Sequence, residues 1–194
     1  MRPIDRAEIL PLGAYEEIRT PFRTRVIEAK KSRRVALGDV MTGVFENRDT
    51  MLLQIQEMLR TERITSESGI LHELETYNEL VPKDRELSMT LTIEIADREK
   101  RESMLEALAG LETMVALSIG GHDVRAIGEN RSVEGIARTT AVHYFKFPLS
   151  EEAASALAAA DAVVTLRSEH RAYQVSATLA KPIVASLRAD LATP

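Results

Sequence analysis

Residues 46–63, Glu46-Asn47-Arg48-Asp49-Thr50 through Thr61-Glu62-Arg63, hold a dense set of side chains able to do polar chemistry. Carboxylates, amides and guanidinium groups at this spacing can bind an anion, move a proton, or close into a hydrogen-bonded network. Met51, Leu52, Ile55, Met58 and Leu59 recur at helical intervals, so the stretch reads as an amphipathic helix over about 48–62 with Asn47 or Asp49 as its cap. Thr50, Gln54, Glu57 and Thr61 then share one face, with Asp49, Gln56, Arg60 and Arg63 beside it. Glu57 and Arg60, three apart, are spaced for a helix-supporting ion pair.

Thr65-Ser66-Glu67-Ser68 caps a second helix of about 67–80, which carries His72, Glu73, Glu75, Tyr77, Asn78 and Glu79 and stops at Pro82. So short a link predicts an antiparallel helix pair. The candidate binding residues are Arg48, Asp49, Gln54, Glu57, Arg60, Glu75, Tyr77 and Asn78. Two uses fit them: a network covered by a neighbouring segment, or one face of a pocket or docking surface. His72 and Glu75, three apart on one turn, are the metal candidates, carboxylate and imidazole suiting iron, manganese or zinc. The Glu-x-x-His pair of di-iron bundles and the His-Glu-x-x-His motif are both absent, so no metal or other cofactor is expected.

Of the other histidines, His122 and His170 fall near turns and are expected to be exposed. His143 shares a strand face with Phe145 and Phe147, where a hydrogen-bonded structural role is the ordinary one. No Gly-x-Ser-x-Gly or Ser-His-Asp arrangement supports nucleophilic hydrolysis, and Gly120-Gly121 matches a hairpin turn rather than a phosphate loop.

Composition narrows the classes. The 194 residues are 44% hydrophobic and 28% charged, ordinary for a globular chain, and no apolar run approaches a membrane span. No signal core opens the sequence, and a cytoplasmic location is expected. The absence of cysteine excludes disulfides, thiol nucleophiles and cysteine-ligated clusters. Absent Trp and scarce aromatics argue against a single-strand nucleic-acid platform. Net charge is −5, yet Arg23, Arg25, Lys30, Lys31, Arg33 and Arg34 form a local basic cluster. Cations in the last turn of a helix complement its dipole, so no nucleic-acid partner is needed to explain them.

The elements that must position these residues read as follows. Thr20-Pro21 opens a helix of about 21–33 with Phe22, Val26 and Ala29 inward, and a preceding turn at about 14–19 is left open as part of it. Residues 34–45 are extended around a Gly38-Asp39 turn. Leu87, Met89, Leu91, Ile93 and Ile95 alternate with polar residues as a half-buried strand. A helix of about 97–111 and a hairpin at 115–127 follow, then a polar irregular stretch at 128–138. A strand at 141–147, a helix to about 160, and strands at 162–167 and 172–179 repeat the order strand–helix–strand–strand. This predicts a degenerate internal repeat, about 87–128 and 140–179, building an antiparallel sheet with helices on one face. A last helix spans about 181–191. The fold class is α+β, with a mainly helical region 1–82 and a sheet region 83–194, which could also form one continuous domain.

Ala36-Leu37-Gly38-Asp39, the run Phe45–Thr50, Gln54–Arg60, Glu75-x-Tyr77-Asn78-x-Leu80-x-Pro82 and Ala141–Phe145 together resemble a bacterial family known as domain of unknown function 3501. The likeness extends over nearly the whole chain. It implies no established activity. Members are often encoded beside rubrerythrin-like and heterodisulfide-reductase-like iron–sulfur proteins, which implies redox partner proteins in peroxide, thiol or sulfur metabolism, with the redox centre on the partner. The leading expectation is therefore a non-enzymatic accessory or binding protein using the helix pair as its recognition surface, with homo-oligomerisation left open. One alternative is an enzyme with a carboxylate/histidine site, metal-dependent or not, in which Glu57 or Glu75 is acid, base or ligand and Arg60 holds an anionic group. Another is a small-ligand sensor whose sheet repeat forms the pocket.

Overall fold

A computed structural model describes residues 1–128 and 138–192 of the chain. Among these residues, six α-helices and nine strands run in the order α1 (Leu12–Lys31), β1 (Arg34–Leu37), β2 (Met41–Glu46), α2 (Arg48–Thr61), α3 (Glu67–Asn78), β3 (Glu86–Ile93), α4 (Arg98–Ala107), β4 (Val115–Ile119), β5 (His122–Arg125), β6 (Ile127–Gly128), β7 (Val142–Pro148), α5 (Glu151–Ala158), β8 (Val164–His170), β9 (Tyr173–Thr178) and α6 (Lys181–Leu191). The class is α+β, as the hydrophobic periods predict. Most of the polar stretch expected at 128–138 lies outside the described residues.

The strands divide between two antiparallel sheets, β1-β2-β3-β7-β6 and β5-β4-β8-β9, rather than forming one. Alternation in a sequence says which face of a strand is buried; it does not say which strand pairs with which. Leu87, Met89, Leu91 and Ile93 of β3 turn one face inward beside Phe45, Phe145 and Phe147. They meet Val115, Leu117, Ile119, Val164 and Leu166 of the second sheet, and Leu105, Leu157 and Leu187 from α4, α5 and α6, in one core. Arg33 ties α6 to this core. Its guanidinium donates to the carbonyls of Phe45 at 2.8 Å and Glu46 at 3.1 Å, and pairs with Asp190.

The opposite face of the first sheet is polar and lies under the N-terminal helices. A second apolar cluster there joins Met51, Ile55 and Leu59 of α2 to Leu74 and Tyr77 of α3 and to Ile4 and Ile9 of the N-terminal segment. Of the two caps offered for α2, Asn47 rather than Asp49 is the one used, and the Thr50 side chain answers it in a reciprocal cap; Ser66 caps α3 as expected. Thr20-Pro21 does not start a helix. α1 runs through Pro21 from Leu12, and Ala29, expected inward, is exposed. Pro21 and Glu17 lie on an exposed face, where water can satisfy the carbonyl that loses its partner. The turn before Pro21 is held by α2 instead: Tyr15, Glu16 and Arg19 all bond to it.

Candidate functional site

The polar residues of α2 and α3 are spent mainly on their own chain. Glu57 does not pair with Arg60. Its Oε1 accepts from the Tyr15 hydroxyl at 2.7 Å and from Arg19 Nε at 2.7 Å, and its Oε2 from the Arg19 guanidinium at 2.8 Å. Arg19, first, and then Tyr15 hold the Glu57 carboxyl down at about 2, against the opposing effect of burial. Burial and that carboxylate push the Tyr15 phenol above its ordinary range. Arg60 reaches Glu16 on α1, and Asp49 pairs with Arg25 at 2.6 Å. These pairs run in opposite senses along the two helices, so α1 and α2 lie antiparallel and α1 supplies the partners.

Other candidates fasten the N-terminal segment. Asn78 accepts from the Ile4 amide at 2.8 Å and donates to its carbonyl at 2.9 Å. Gln56, fully buried, accepts from the Leu10 amide at 2.7 Å and donates to its carbonyl at 3.3 Å. Arg48 pairs with Glu8 and donates to the Arg2 carbonyl at 3.2 Å. Glu75 and His72 are both exposed, and no group of three or more metal-ligating side chains converges among the described residues. The metal candidates thus stand apart from any ligand set. His170 is buried rather than exposed: its Nε2 lies 3.1 Å from the Ala109 carbonyl and its Nδ1 accepts from the Ala172 amide at 3.2 Å. His143 is buried, 3.0 Å from the Thr139 hydroxyl and stacked on Phe145.

Gln54 and Tyr77 have a different setting. They line a cavity of about 270 Å3 between the helices and the polar face of the first sheet. Cross-strand pairing builds its floor. Arg34, Val44, Thr90 and Tyr144 lie opposite one another on β1, β2, β3 and β7, and Glu46 is two residues beyond Val44 on the same face. Thr92 and Glu94 extend the floor along β3, and Lys30 closes it from the last turn of α1. Arg34 and Glu94 are exposed and mark the mouth, whereas Glu46 is buried, with 4% exposure. Glu46 Oε1 accepts from the Thr90 hydroxyl at 2.8 Å. Its Oε2 has no hydrogen-bond partner among the described residues; Lys30 Nζ is 3.7 Å away.

Sequence reasoning found two lining residues, Gln54 and Tyr77, and missed the floor. Thr90, Thr92 and Glu94 read as the solvent side of an alternating strand. Lys30 and Arg34 read as helix-end charge. The available signal was Glu46 itself, a carboxylate closing the strand Val44-Phe45-Glu46 directly before a capped helix.

The sequence matches a family described as a protein of unknown function, DUF3501, over residues 3–191. A crystal structure of a protein of unknown function from Burkholderia pseudomallei K96243 superposes with a TM-score of 0.91 at 34% identity, covering 98% of this chain and 100% of that one. None of the curated proteins matches. No helix among the described residues is long and apolar enough to cross a membrane. With a match spanning almost every residue and a relative of the same fold at this identity, the chain belongs to the DUF3501 family.

Proposed function

We propose that the protein binds a small polar molecule in the cavity between the first sheet and the N-terminal helices. One observation carries this reading: Glu46 Oε2 is buried at the cavity without a hydrogen-bond partner among the described residues. An acceptor left unpaired in a protein interior costs about 1–3 kcal/mol, and more when charged. A ligand donor group that reaches Oε2, on a small shift of the side chains covering it, removes that penalty and is held there in return. The polar lining gives such a ligand further partners in the Gln54 amide and the Tyr77 hydroxyl.

The readings placed on the helix pair alone fare less well. Glu57 stays ionised far below neutrality with both oxygens engaged, a poor starting point for proton transfer. The expectation of redox partner proteins came from the family resemblance, and no feature of the cavity calls for it.

Thermal denaturation of the purified chain against a library of small polar compounds tests the proposal, with Val44→Phe as the control that fills the cavity. At least one compound should raise the melting temperature of the wild type and not that of the variant. No stabilising compound, or equal stabilisation of both proteins, overturns the reading.

A further inference from the structure

We infer that the ligand is a zwitterion of amino-acid size, its protonated amine on Glu46 and its anionic group on Arg34. The inference rests on the binding reading above and adds the chemistry of the ligand.

The cavity brings two cations, Lys30 and Arg34, together with two carboxylates, Glu46 and Glu94. They are not equally committed. Glu94 accepts from the Thr42 hydroxyl at 3.2 Å and the Thr92 hydroxyl at 2.9 Å. Lys30 sits beside Glu46 at ion-pair distance but beyond a hydrogen bond. Apart from Lys30, which Glu46 already draws to ion-pair distance, two charged groups remain open among the described residues: Glu46 Oε2, which needs a donor, and the Arg34 guanidinium, which has no side-chain partner. Arg34 lies opposite Val44, and Glu46 follows two residues later, so the two are diagonal neighbours on adjacent strands. Such positions are roughly 7–8 Å apart. One small molecule with a positive and a negative end can reach both.

Simpler ligands fit less well. A free anion at Arg34 would face the Glu46 carboxylate with nothing to offer it. A divalent cation at Glu46 would lack a ligand set, because no three metal-ligating side chains converge there among the described residues. Size points the same way. Pockets for drug-sized ligands run from about 300 to 1,000 Å3, and a cavity of about 270 Å3 falls just below that range.

Isothermal titration calorimetry and thermal denaturation should be run with the standard L-amino acids, β-alanine, γ-aminobutyrate and glycine betaine. The matched amines and matched carboxylates serve as comparison compounds. At least one zwitterion with N–H donors should bind, and its amine-only and acid-only counterparts should bind about tenfold or more weakly. Glycine betaine, which carries no N–H for Glu46, should fall with the weak set. Glu46→Gln and Arg34→Gln should each weaken the zwitterion by about tenfold or more. Arg34 is exposed, so its variant tests the idea even if Glu46→Gln fails to fold. A neutral or singly charged compound that binds in the cavity in preference to every zwitterion overturns this inference and leaves the binding reading standing. So does zwitterion binding that ignores both substitutions. If no compound of any class binds, both proposals fall.

Discussion

The side-chain amide of Asn78 and the backbone of Ile4 exchange two hydrogen bonds, at 2.8 and 2.9 Å, as neighbouring strands would. Gln56 repeats the arrangement on Leu10. Two amide clamps from α3 and α2 thus hold the first ten residues across the helix pair, and Ile4 and Ile9 are pressed into its apolar cluster. Asn78→Ala removes both bonds and leaves the Ile4 amide and carbonyl to find water at a partly buried position. At about 1 kcal/mol for each lost bond, the expected destabilisation is about 1–3 kcal/mol. Urea denaturation measures it, and hydrogen exchange at the Ile4 amide should accelerate in step. Unchanged exchange there would mean that the apolar contacts, not the clamp, hold the segment.

Arg33 and Asp190 make a second long-range tie, and both are almost fully buried. Asp190→Ala leaves a guanidinium that still donates to the Phe45 and Glu46 carbonyls but has lost its counter-charge. Breaking one side of a buried pair costs about 3–5 kcal/mol, whereas replacing both partners with apolar groups of similar size is often neutral. Asp190→Ala should therefore be much less stable than Arg33→Met/Asp190→Leu in guanidinium denaturation. The double variant gives up the two carbonyl contacts of Arg33 as well, so it should recover part of the loss rather than all of it.

These ties explain which parts of the structure were legible in the sequence. Where an element is decided by its own residues, the reading holds. Asn47 caps α2, Lys181-Pro182 opens α6, and the alternation from Leu87 to Ile93 gives β3. Where a distant segment decides, the reading fails. Thr20-Pro21 carries the cap and the first-turn proline of a helix start, yet Tyr15 and Arg19 gain the half-buried Glu57 carboxylate by continuing the helix backwards. Glu57 has a correctly spaced partner in Arg60 and takes Arg19 instead. The cavity was hidden for the same reason: Thr90 and Thr92 become lining only because α2 and α3 return over β3, and no local pattern encodes that return.

Gly38 offers a sharper test of one close approach. It turns β1 into β2 with a φ of +67°, and the Tyr173 hydroxyl from β9 sits in the space beside it. That hydroxyl accepts from the Asp39 amide at 2.8 Å and donates to the Leu37 carbonyl at 3.2 Å, so the turn is fastened to the second sheet. A Cβ at residue 38 would stand 2.2 Å from the hydroxyl oxygen and 2.8 Å from the ring carbon that bears it. Gly38→Ala should lose more than the roughly 1 kcal/mol expected from backbone conformation alone. Removing the oxygen with Tyr173→Phe should not rescue it, because the ring carbon remains too close. Thermal denaturation of the two single variants and the double variant checks this; full rescue would place the strain in the hydroxyl contact alone.

Acid should loosen the N-terminal helices. Glu57 is held at about 2 chiefly by Arg19 and then by Tyr15, and Glu8 at about 2 chiefly by Arg48 and then by the Asp5 backbone amide. The ordinary value for either carboxyl is 4.5. Both groups therefore bind protons more readily in the unfolded chain than in the folded one. Their contribution to stability is fully present above a pH of about 4.5 and drains away as the pH falls towards 2. Glu57→Gln should lower stability at neutral pH by about 1–3 kcal/mol, the loss expected when hydrogen bonds to a charged group are removed. The same variant should flatten the decline between pH 5 and pH 2, in line with the roughly unit-by-unit loss of a depressed carboxylate, so that its curve approaches the wild type in acid. Glu8→Gln should do the same independently, because Glu8 and Glu57 share no partner. Chemical denaturation at a series of pH values reads both effects. A wild-type profile that stays flat from neutral pH down to pH 3 would show that these two carboxylates are not held as the geometry requires.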